Sequence, residues 1–101
     1  MNQETESLRE LVERVSRLVN SEQWDDLTAL DERGRRIVES ATARVRETGK
    51  DGAVVRPLIE RLQALYEQAR SCAEAERDQA QRELSETART QRAAQAYLDN
   101  Q

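Results

Sequence analysis

Apolar positions recur at helical spacing from the N-terminus to about Ala73 and then thin out. In residues 5–20, Leu8, Leu11, Val12, Val15, Leu18 and Val19 follow the i, i+3, i+4, i+7 rhythm. Arg9, Glu10, Glu13, Arg14 and Arg17 fall on the other face. That separation predicts an amphipathic helix. Ser7 and Glu10 have capping-box spacing, with Thr5 or Asn2 as alternative caps. Asn20 and Ser21 interrupt the rhythm, and either can cap a second helix. Asp25 and Asp26 then fall in its first turn, where negative charge suits the positive end of the helix dipole. Trp24, Leu27, Leu30, Ile37, Val38, Ala41 and Val45 carry one stripe to about Arg46. Trp24 tops that stripe, where its ring covers the end of the core and its N–H stays near water, or else meets a partner.

Gly34 falls on the same stripe. A glycine inside a helix costs about 1 kcal/mol relative to alanine; close approach of another helix is the expected reason, and a functional bend the alternative. Residues 47–52 (ETGKDG) are the clearest punctuation. Gly49 suits the left-handed end of the second helix, and Asp51 is a cap for the third. Pro57 fits the first turn of a helix and disfavours a helical Arg56 before it, so the third helix is expected to begin between Asp51 and Pro57. Its stripe is Leu58, Ile59, Leu62, Leu65, Tyr66, Ala69, Cys72 and Ala73. Beyond Ala73 the large apolar residues are Leu84, Tyr97 and Leu98. The remaining residues there are good helix formers that bury little. Residues 85–90 (SETART) are the candidate for a bend or a break, and 89–100 are expected as a short terminal helix or a continuation.

The pattern predicts an all-α fold: an antiparallel three-helix bundle or hairpin with a long third helix and a short, weakly packed C-terminal helical segment. One domain spanning 1–101 is expected, with 88–101 as a mobile regulatory tail. Composition narrows the picture. Charged residues make up 36% of the chain and aromatics 3%, so any core is thin and aliphatic. The net charge of −4 gives no basic face, so no direct nucleic-acid contact is expected. One cysteine excludes an internal disulfide. No apolar run is long enough for membrane insertion, and the polar, acidic start is unlike a signal peptide, so the expected location is the cytoplasm.

The residues of common chemistry are missing. Without histidine, the usual zinc sets and the Cys–His and Ser–His–Asp nucleophiles cannot be assembled. The three glycines stand apart, so no phosphate-cradling loop forms. Neither a catalytic site nor a cofactor is expected. Cys72 lies on the apolar face of the third helix and reads as a small core residue. Arg33, Arg35 and Arg36 have Asp31, Glu32 and Glu39 within reach for ordinary surface pairing. Tyr66 reads as core. Tyr97, in a polar segment, either docks on the bundle or is held out for a partner.

The opening of the second helix (SEQWDDL) and the terminal Arg-x-x-x-x-x-x-Ala-Tyr of Arg89, Ala96 and Tyr97 sit in a layout of short, medium and long helices. In this the chain resembles the FliT family of flagellar export chaperones. The resemblance implies a non-catalytic cytoplasmic protein that binds the filament-cap protein (FliD-like) before its secretion. It implies delivery to the export gate (FlhA-like) and the export ATPase complex, and in some members contact with a flagellar transcriptional regulator. It places the client groove along the second and third helices, at Ile59, Leu62, Tyr66 and Arg70 with Ile37 and Val38 nearby. It implies gate docking at Tyr97, and a last helix that folds over the groove.

Three further readings stay open. One is a FlgN-like chaperone for hook–filament junction proteins. Another is a self-associating helical scaffold, although the seam fades where Glu76 and Gln79 take its positions. The third is a transcription modulator that acts by protein contact. Monomer and homodimer are both compatible with the sequence.

Overall fold

The structure, a computed structural model, describes residues 3–100. Among them run α1 (Gln3–Asn20), α2 (Trp24–Thr48) and α3 (Gly52–Asp99), with no strand. The chain divides into two compact units, Met1–Ala69 and Arg70–Gln101.

The first unit holds the core. Its centre is α1, where Leu8 and Val15 are fully buried and Leu11, Val12 and Val19 nearly so. From α2 come Leu27, Leu30 and Ala41, and from α3 Val55, Leu62, Leu65 and Ala69. Leu18, Trp24, Ile37, Val38, Val45, Leu58, Ile59 and Tyr66 are partly buried against this cluster. The apolar stripes therefore meet as their spacing predicts. Burial of each large side chain contributes about 1.5–3 kcal/mol against the entropy of ordering the chain. Thr5, expected as an alternative cap, instead lies inside α1 with 1% of its surface exposed.

The helix ends differ from the sequence expectation. α1 already runs at Gln3, so Ser7 and Glu10 lie within it and make no capping box. Asn2 lies outside the described residues. Asn20 and Ser21 do not cap α2; they finish α1. The Ser21 hydroxyl donates back to the Arg17 carbonyl at 2.8 Å. Glu22 adopts a left-handed φ of 56°. Its N–H bonds the Val19 carbonyl at 3.2 Å, and the Gln23 N–H bonds that of Leu18 at 3.0 Å. Those two bonds are a Schellman motif with glutamate where glycine is usual. Gln23 occupies the N-cap of α2 without a side-chain bond. With so short a turn, Ser21 serves the orphan carbonyls of one helix rather than the orphan N–H groups of the next. Asp25 and Asp26 do fall in the first turn of α2.

At the other end of α2, Gly49 takes φ 67° and its N–H bonds the Val45 carbonyl at 2.8 Å, as expected of a left-handed stop. α3 begins at Gly52, so Pro57 sits in its second turn and Arg56 is helical. The carbonyl of Asp51 accepts the first bonds, from the N–H of Val54 at 3.0 Å and of Val55 at 2.9 Å.

The second unit is the remainder of α3. Of the two forms expected for residues 89–100, the structure has the continuation. Every residue from 74 to 100 is exposed. Good helix formers and local bonds hold this stretch. Gln79 donates to Glu83 at 3.1 Å, Arg82 to Gln79 at 2.9 Å, and Gln95 to Asp99 at 2.9 Å. Residues 85–90 do not break it; the Thr87 hydroxyl bonds the Glu83 carbonyl at 2.9 Å within the helix. Cys72 is half-buried rather than buried.

Candidate functional site

Two surface depressions of the first unit lie beside residues singled out by the sequence. One, of about 380 Å³, is lined by Gln3, Ser7, Arg33, Arg36, Ile37 and Ser40 among others, from α1 and α2. Its walls mix charge, hydroxyl and a single isoleucine. The other, of about 320 Å³, lies where α2 ends and α3 begins. Thr42, Val45, Val55 and Ile59 line it, with Arg56 and Glu60 at its side. Its interior is mostly apolar, the character that accepts an apolar side chain.

The arginine cluster of α2 pairs locally. Arg35 meets Asp31 and Arg36 meets Glu32, each at 3.2 Å across one helical turn. Arg56 meets Glu60 at 3.1 Å in the same way on α3. All of these pairs are largely exposed, so each is worth about 0.3–0.5 kcal/mol. Among the described residues no group of three or more His, Cys, Asp or Glu could hold a metal ion. No described helix is long and apolar enough to cross a membrane.

The six residues expected at a client groove are distributed as follows. Ile59 lines the apolar depression, while Ile37 lines the polar one. Val38 is half-buried against the core. Leu62, at 6% exposure, is part of the core itself. Tyr66 is half-buried, its hydroxyl 3.6 Å from where a Cβ on Gly34 would lie. Burial, and then the nearby charge of Asp31, push its phenol above the usual range. Arg70 is exposed and belongs to the second unit. Tyr97 and Leu98, near the end of α3, are 67% and 60% exposed.

Val55 lies outside the expected stripe, yet it is 4% exposed and lines the apolar depression. Its spacing to Ile59 and Leu62 carried the signal. Reading Pro57 as a first-turn residue obscured it.

A family model described as Flagellar protein FliT matches residues 2–100. No curated protein and no solved structure matches the chain.

Proposed function

The chain belongs to the FliT family of flagellar export chaperones, and from that premise we propose that it binds the filament-cap protein (FliD-like) in the cytoplasm and hands it to the export apparatus. The match over residues 2–100 carries this reading, because it covers nearly the whole chain rather than one helix. The role is non-catalytic. Binding an amphipathic client helix needs apolar surface at helical spacing, which the half-buried side chains beside the core supply.

Ile59 is the centre of the proposed client surface, with Tyr66 two turns on and Leu62 beneath the helix surface as its support. Ile37, Val38 and Arg70 are assigned to client contact on the family resemblance. Tyr97 is assigned to the export gate (FlhA-like) on the same ground. Its exposure supports that assignment, since an aromatic ring in water gains from any partner that covers it. Contacts with the export ATPase complex and with a flagellar transcriptional regulator follow from the family alone.

Calorimetric titration with the C-terminal segment of the same organism's filament-cap protein tests the proposal. Micromolar or tighter binding, lost on Ile59→Asp, is the expected result. Absence of binding, together with binding to a hook–filament junction protein, would transfer the function to that other client. Repeating the titration without residues 89–101 tests regulation by the tail, for which tighter binding on truncation is expected.

A further inference from the structure

We propose that residues 52–56, the first turn of α3, form a lid that hinges at Pro57 and lifts from an apolar slot while the rest of the first unit stays folded. Pro57 is the sixth residue of α3 and has no N–H, so the Ala53 carbonyl lacks its helical partner. The proline ring also disfavours the helical conformation of Arg56, which relaxes when that residue becomes extended. At the other end, Asp51 holds φ 66°, in the left-handed region that a residue with a Cβ seldom adopts. Two bonds to its carbonyl begin the turn, from the N–H of Val54 and of Val55.

Little apolar surface holds the turn down. Val55 is buried at 4% exposure, but Val54 is 37% exposed. Arg56 points to solvent and pairs with Glu60 across one turn. Two residues beyond the hinge the anchoring changes: Ile59 is half-buried, and Leu62 and Leu65 are 6% and 1% exposed. Opening that stops at Pro57 therefore gives up the core contact of Val55 and leaves those of Leu62, Leu65 and Ala69 intact.

What lies beneath is continuous with the existing depression. A Cβ on Gly52 would stand 3.5 Å from Cγ1 of Val45, so the lid's backbone rests on that valine. From the lid, Gly52, Val55 and Arg56 line the depression of about 320 Å³; Thr42, Val45, Ile59, Glu60 and Gln63 complete it. Lifting the turn removes that side and uncovers Val45 and Ile59 together. The slot then admits a larger apolar group than the closed form can.

Residue-resolved amide hydrogen exchange on the full chain tests the lid. In the wild type, the N–H groups of Val54, Val55 and Arg56 are expected to exchange at least ~10-fold faster than those of Leu65 and Val15, as a local opening does. Urea below the unfolding midpoint should speed Leu65 and Val15 steeply and the lid amides little, because a local opening exposes less surface than global unfolding. Pro57→Ala, which restores a donor for Ala53, should slow the lid amides at least ~10-fold. Exchange of the lid in step with Leu65, with the same urea response, overturns the proposal. So does fast lid exchange that Pro57→Ala leaves unchanged, since the hinge would then lie elsewhere.

Discussion

A Cβ placed on Gly34 of α2 would stand 3.5 Å from both terminal carbons of Leu11 on α1. That is ordinary van der Waals contact rather than a clash. The glycine is buried between α1 and the Tyr66 side chain of α3, yet the space accepts a methyl group. Close approach alone thus does not require glycine here. Gly34→Ala should stabilise the protein by about 0.5–1 kcal/mol, because glycine is the costlier residue in a helix interior. Gly34→Leu should destabilise it by about 1–3 kcal/mol through overpacking against Leu11. Urea unfolding of the three proteins decides both; an alanine variant less stable than wild type would show that Leu11 cannot give way.

The two left-handed positions that end α1 and α2 make opposite predictions. Gly49 holds φ 67° with nothing within 4 Å of a Cβ built there, so only backbone conformation opposes a side chain. Gly49→Ala should cost about 1 kcal/mol. Glu22 holds φ 56° with a side chain present. Glu22→Gly should therefore leave stability unchanged or raise it by up to about 1 kcal/mol. Paired thermal melts are the measurement, and a loss of stability in Glu22→Gly would show that the glutamate side chain contributes more than its backbone costs.

The helical stripes were legible because their periodicity directly reports which face is buried. Leu8, Leu11, Val15, Leu27, Leu30, Leu62 and Leu65 all reach the core as their spacing predicts. The helix ends were less legible because one residue type serves opposite roles. A serine between two helices can satisfy carbonyls behind it or N–H groups ahead of it, and Ser21 does the former. Pro57 misled for a related reason: it is best tolerated in a first turn, but α3 carries it one turn later. That shift hid Val55 and with it one wall of the apolar depression. The division of the six client-groove residues among core, two depressions and the second unit is a matter of tertiary arrangement, which spacing along single helices does not encode.

Tyr66 supplies a pH dependence whose sign is fixed. Burial, then the charge of Asp31, raises its phenol above the ordinary value of 10.0. The unfolded chain therefore loses the phenolic proton before the folded protein does. The neutral phenol's stabilising contribution is complete below pH about 10 and declines as the pH rises through the folded value. Tyr66→Phe removes this ionisation. Wild type and variant should lose stability in parallel up to about pH 9, with wild type falling faster above about pH 10. Urea midpoints at pH 8 and pH 10.5 give the comparison, and an equal fall in both proteins would mean that the phenol is no harder to ionise folded than unfolded.

Leu65 and Leu84 stand on the same helix in opposite environments, 1% and 70% exposed. Truncating Leu65 deletes buried methyl groups and leaves a cavity in the hydrophobic core cluster, so Leu65→Ala should cost about 2–5 kcal/mol. Leu84→Ala removes surface that is already in water and replaces leucine with a slightly better helix former. Its effect should stay within about 0.5 kcal/mol. The same argument extends to deletion of residues 89–101, since each described residue in that segment is exposed. Deletion should leave the urea midpoint nearly unchanged while reducing the helical signal by the lost turns. If the midpoint instead fell as it does for Leu65→Ala, the terminal residues would be contributing cohesion that their exposure denies. A partner that needs Tyr97 would then be competing with the fold for it, rather than finding the ring already available.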